Sequence, residues 1–129
     1  MLLLLLAAQV TIASVARAEP ATRSIYFDSG QGSEIRSDWT GVLDDTAQAI
    51  RQHGGRVRLD SFSDRSGSER ANRQVSAKRG QAVRAALIQR GVPAGAIATV
   101  AHGENNSVVP TADGVREPQN RRVDVTLVQ

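Results

Sequence analysis

Apolar positions along this chain recur with two different periods, and the switches between them outline its elements. Ser24–Asp28 (S-I-Y-F-D) is a short β-rich run that predicts a first strand, preceded by a linker at Glu19–Arg23. Ser29–Ser33 carries Gly30 and Gly32 and reads as a loop. From Ser37 or Asp38, either of them a good N-cap, Trp39, Val42, Leu43, Ala47 and Ile50 repeat at helical spacing until Gly54-Gly55 stops the helix. Arg56–Phe62 then alternates as a second strand with Val57 and Leu59 inward. After a turn at Asp64–Ser68, a second helix is predicted over Glu69–Arg90, closed by Gly91 with Pro93 beyond it. Ala96–Ala101 reads as a third strand. A polar loop with Gly103, Pro110, Gly114 and Pro118 follows, and Arg122–Val128 alternates Val123, Val125 and Leu127 as the last strand.

The order β-α-β-α-β-β predicts an α+β fold: a two-layer α/β sandwich, with both helices covering one face of a mixed sheet. The second helix departs from ordinary amphipathic patterning. At about 100° per residue, Val75, Ala82, Val83, Ala86 and Leu87 share one side, and Asn72, Ser76 and Arg79 fall on that same side. Charges normally occupy the opposite face, and burying an unpaired guanidinium costs several kcal/mol, on the order of the penalties for a broken buried ion pair. The first turns of this face are therefore expected to line a polar groove, with Asp64 beside it. Each of these residues alone is unremarkable: Asp64 in D-R-S-G is a turn or capping carboxylate, and Arg79 a snorkelling arginine. Their convergence is what points to a site. Amide groups at the helix start favour a carboxylate, Asp64 can take an ammonium, and Arg79 can grip a carboxylate in bidentate fashion. Such a groove complements a zwitterion.

Composition limits what else the chain can do. Residues 1–18 form an apolar run ending in Ala16-Arg17-Ala18, the pattern of a secretory signal peptide cut after Ala18. No basic residue precedes the leucines, so an uncleaved anchor stays open. As a membrane span the run is short, since Arg17 ends it where about 20 apolar residues are needed. The remaining residues 19–129 make one domain with one modest core, and no transmembrane segment is expected in the mature chain. There is no cysteine, hence no disulfide framework, no thiolate metal site and no acceptor for a lipoprotein-type lipid. A formal net charge of +3 and an aromatic content of 3% give neither a strong basic footprint nor a base-stacking platform, so nucleic acid is not an expected partner.

Catalytic and cofactor signatures fail in turn. His53 and His102 lack partners at zinc-ligand spacing. The acidic segment Asp60–Glu69 lacks the calcium-loop spacing, Gly30-x-Gly32 lacks the third glycine of a dinucleotide loop, and no serine stands in G-x-S-x-G. We therefore expect no metal, no cofactor and no enzymatic activity.

Taken together, Ser63-Asp64-Arg65-x-Gly67, Asn72, Val75-Ser76-x-x-Arg79, Gly91-Val92-Pro93, Gly103-Glu104 and Asn120-Arg121-Arg122-Val123 resemble the OmpA-like C-terminal domain family. That family includes the outer-membrane protein A tail, the peptidoglycan-associated lipoprotein and stator-type motility proteins. The resemblance runs from about Ser24 to Val128. It implies the same β-α-β-α-β-β sandwich and non-covalent, periplasmic binding to peptidoglycan through the meso-diaminopimelate of the stem peptide. By that likeness Asp64 would meet the ammonium and Arg79 the carboxylate. Asn72 would support them, Ser63 would keep a hydroxyl usually supplied by threonine, and Asp28 would lie at the rim. Either Arg121 or Arg122 would contact a further carboxylate or brace the pocket. The chain departs from the pattern at Ser61 (usually glycine), Val75 (leucine), Gly80 (alanine) and Ser107 (proline). A protein-interaction domain of an envelope or secretion complex, with a vestigial groove, is the alternative reading.

Overall fold

A computed structural model describes residues 21–30, 32–105 and 108–129. The expected leader, residues 1–18, lies outside the described residues. Four strands and two helices follow in the predicted order: β1 (Ala21–Tyr26), α1 (Thr40–His53), β2 (Arg56–Phe62), α2 (Glu69–Gln89), β3 (Ile97–Gly103) and β4 (Arg122–Val128). The sheet runs β1-β4-β2-β3. β4 is antiparallel to both of its neighbours and β2 is parallel to β3, so the sheet is mixed.

Alternation along the strands sorts the side chains onto two faces. Ile25, Val57, Leu59, Val123 and Val125 turn to one side, where they meet Val42, Leu43, Ala47 and Ile50 of α1 and Val83 and Leu87 of α2 in one buried core. Both helices thus lie on the same face. The opposite face is polar: Ser24 donates to Asp124 at 2.7 Å, and Arg58 and His102 both meet Asp60 at 2.8 Å. Leu127, predicted inward, is only partly buried near the strand end.

Several boundaries differ from the sequence expectation: α2 stops at Gln89, one residue early, and β3 runs Ile97–Gly103 where Ala96–Ala101 is expected. β1 begins at Ala21, inside the segment read as a linker, because Ala21–Arg23 pair with Val125–Leu127 across the sheet. It ends at Tyr26, and Phe27 and Asp28 leave the ladder although the Phe27 amide still donates to the Arg121 carbonyl at 2.9 Å. Ser37 and Asp38 do not cap α1; they sit within a 3₁₀ turn, Ser37–Trp39, that leads into it.

α2 crosses the sheet closely at Gly80. A Cβ there would stand 3.0 Å from both Ser61 Oγ and Thr99 Cγ2. Glycine in mid-helix costs about 1 kcal/mol against alanine, and close helix–sheet contact is what it provides in return. The approach brings the polar start of α2 down onto the ends of β2 and β3.

Candidate functional site

Ser68 caps α2, its hydroxyl accepting from the Ala71 amide at 3.1 Å, so the helix begins with a satisfied cap. Just upstream, the Asp64 carboxylate accepts from the amide and the hydroxyl of Ser66 at 3.1 and 2.6 Å. It is therefore a turn-forming aspartate, as its local sequence suggests, and also more than that. Its second oxygen accepts from Arg121 Nη1 at 3.0 Å and from the Glu117 amide at 3.3 Å. Burial favours the protonated acid, but the bonds from Ser66, Arg121 and Glu117 outweigh it and hold Asp64 below the ordinary carboxylate value. Asp64 stays ionised at neutral pH.

Arg79 is 1% exposed, and no carboxylate among the described residues bonds it. Its Nε donates to the Gly32 carbonyl at 3.2 Å, and Nη2 donates to the carbonyls of Asp28 and Gly30, both at 3.0 Å. The Phe27 ring lies 5.4 Å from the guanidinium carbon. The loop after β1 thus wraps the guanidinium with backbone oxygens, helped by the positive φ of 91° at Gly30. Burial, then the nearby positive charge of Arg121, pushes Arg79 down to about 10, with Asp64 acting the other way. It remains a cation at neutral pH. Nη1 takes no part in the carbonyl clamp and makes no hydrogen bond among the described residues.

Asp64 and Arg79 share the wall of one cavity of about 200 Å³, completed by Ser63, Gly67, Asn72 and Arg116 among others. That is below the range of about 300–1,000 Å³ typical of drug-sized ligands and suits the end-group of an amino acid. Ser63 is 2% exposed, and its hydroxyl has no hydrogen-bond partner. The hydroxyl is thus a buried donor and acceptor that no other described residue engages.

The other expected residues divide. Asn72 faces the cavity, but its amide is engaged by the Gly67 amide (3.2 Å), the Gly67 carbonyl (3.0 Å) and Glu104 (2.9 Å). It braces the turn. Ser76 is fully buried and tied to the Arg73 carbonyl and the Gly103 amide, so it fastens α2 to β3 and does not reach the cavity. Asp28 offers only its backbone carbonyl to Arg79; its exposed carboxylate pairs with Arg36 at 3.2 Å. Arg121 supports Asp64 from behind, also donating to the Phe27 carbonyl at 3.1 Å. Arg122 lies on the polar face of the sheet, 4.0 Å over the Phe62 ring and 3.1 Å from Asp124. Of that pair, only Arg121 belongs to the site. Arg116 was not foreseen, because nothing in the local pattern of a polar loop tells where it folds.

No group of His, Asp or Glu among the described residues is arranged to hold a metal ion, and no helix among them is long and apolar enough to cross a membrane.

Residues 26–121 match the OmpA family. The chain is 34% identical over 115 residues to an outer membrane protein of Gluconacetobacter diazotrophicus, covering 84% of this chain and 30% of that protein. It is 30% identical over 110 residues to the peptidoglycan-associated lipoprotein of Pseudomonas putida, covering 83% and 66%. It therefore spans a third to two thirds of these relatives' lengths. The crystal structure of the peptidoglycan-associated lipoprotein from Burkholderia pseudomallei superposes with a TM-score of 0.74 at 28% identity, covering 81% of this chain and 89% of that one.

Proposed function

Because this chain belongs to the OmpA family, we propose that it is a non-catalytic module that binds peptidoglycan in the periplasm, taking the zwitterionic end of meso-diaminopimelate into the Asp64–Arg79 cavity. The observation that carries this reading is the pairing, in one small hollow, of an ionised carboxylate with a buried guanidinium whose Nη1 is unengaged. Relatives named for peptidoglycan association support the polymer, and the cavity's charges support the residue.

Arg79 Nη1 would donate to the ligand carboxylate, and the Ser63 hydroxyl would donate to it or accept from the ammonium. Asp64 already accepts four bonds, about as many as a carboxylate has lone-pair sites. The ammonium therefore has to displace the one donor that can rotate away, the Ser66 hydroxyl, and share that oxygen. Each charge-assisted contact is worth about 1.5–3 kcal/mol. Two of them correspond to micromolar-to-millimolar single-site affinity, so attachment to the wall would rest on the density of stem peptides.

The test needs no variant. Protein bound to purified diaminopimelate-type peptidoglycan is challenged with the tripeptide L-Ala-γ-D-Glu-meso-diaminopimelate or with the same tripeptide carrying L-lysine in third place, whose side chain ends in an ammonium with no carboxylate beside it. Release by the diaminopimelate tripeptide alone is expected; equal release by both, or by neither, refutes the assignment. Asp64→Ala and Arg79→Ala should each abolish co-sedimentation. Each also strands buried partners (Arg121 in one case, three carbonyls in the other), so circular dichroism must accompany the assay.

A further inference from the structure

We propose that Arg116 is a second carboxylate receptor in the same cavity, so that the ligand brings two carboxylates for each ammonium; this rests on the function proposed above. The first argument is charge balance. Asp64 is already matched by Arg121 at 3.0 Å. Arg79 is bonded only to neutral carbonyls. Arg116 lines the cavity and makes no hydrogen bond or ion pair among the described residues. An occupant that delivered one carboxylate and one ammonium would leave this surplus uncompensated. With Asp64 matched by Arg121, the two remaining guanidinium groups amount to +2, and a second carboxylate lowers that to +1.

The second argument is position. Arg116 is exposed, and an exposed arginine on a free loop would mean little. Here the backbone on both sides of it is fastened to the turn that carries Asp64. The Glu117 amide donates to Asp64 Oδ2 at 3.3 Å, and the Gly114 amide donates to the Arg65 carbonyl at 2.6 Å. Arg65 also pairs with Asp113. The Glu117 carboxylate, the nearest acid in sequence, is turned away to accept from the Gln119 amide at 3.1 Å and does not neutralise Arg116. The loop therefore holds an exposed guanidinium on the wall of a cavity that Arg79 also lines.

In a stem peptide two carboxylates adjoin the diaminopimelate side-chain end: the α-carboxylate of that residue when it is terminal, and the α-carboxylate of the γ-linked glutamate before it. Both offer the same chemistry to Arg116, and amidating one at a time separates them. The full chain is titrated by NMR with the tripeptide L-Ala-γ-D-Glu-meso-diaminopimelate and its two singly amidated forms. One amidation is expected to weaken wild-type binding roughly tenfold, the worth of one charge-assisted contact. Arg116→Gln should lose that factor toward the free acid and nothing further toward the amidated peptide, and Arg116→Lys should recover part of it. The proposal is overturned if Arg116→Gln binds all three peptides as tightly as wild type while Arg79→Lys weakens all three, a result that leaves the primary site standing. Failure of the wild type to bind any of them would sink the primary site, and this one with it.

Discussion

Replacing Arg121 by methionine probes the least expected contact in the site. The Arg121 and Asp64 side chains are 11% and 5% exposed and 3.0 Å apart. Methionine keeps much of the volume and removes the charge, leaving Asp64 with Ser66 and Glu117 alone and the Phe27 carbonyl without the Arg121 donor. Removing one partner of a buried pair costs about 3–5 kcal/mol. The low end, about 3 kcal/mol, applies here: Asp64 retains three hydrogen bonds, and Arg79 is relieved of a positive neighbour. The pH dependence carries a definite sign. Folded Asp64 titrates below 3.8, so its contribution is present above that value and fades as pH falls through the folded one. Without Arg121, burial gains against the remaining bonds and the folded value rises. The deficit relative to wild type should be full at pH 7 and smaller at an acid pH, as Asp64 protonates in the variant before it does in wild type. Urea unfolding at the two pH values measures it, and a double-mutant cycle with Asp64→Asn isolates the coupling. A loss below about 1 kcal/mol at neutral pH, a deficit equal at both pH values, or strict additivity in the cycle would refute the reasoning.

Two further outcomes follow from the packing around the site. Gly80→Ala gains about 1 kcal/mol of helix propensity but places a methyl 3.0 Å from Ser61 Oγ and Thr99 Cγ2; overpacking costs about 1–3 kcal/mol, so chemical denaturation should show a net loss, and a gain of the full propensity term would mean the sheet yields freely. Asn72→Ala strips the amide and carbonyl of Gly67, an exposed turn residue, of their partners, at about 0.5–1.5 kcal/mol for each hydrogen bond lost. It should lower stability and loosen peptidoglycan retention together, whereas loss of binding with unchanged stability would make Asn72 a ligand contact and not a brace.

Periodicity by itself set down the element order, the exact spans of β2 and β4 and the inward stripe of Asn72, Ser76 and Arg79, all three of which are buried. Those features repeat within a few residues along the chain, and a linear reading can count them. What each polar residue touches was decided elsewhere. Asp64 is joined to a residue 57 positions away, and the carbonyls around Arg79 come from 47 to 51 positions upstream. Gly30-x-Gly32, which fails as a dinucleotide loop, turns out to supply two of those carbonyls. Of the neighbours Arg121 and Arg122, alternation with Val123 and Val125 sends Arg122 to the polar face, but Arg121 stands just before the strand, where no period says what it meets. Arg122 pairs with Tyr26 across the sheet and goes to the polar face; Arg121, one residue earlier, turns under the loop to Asp64. Local rhythm made the scaffold readable, while the charge pairs formed only once distant segments had been folded against one another.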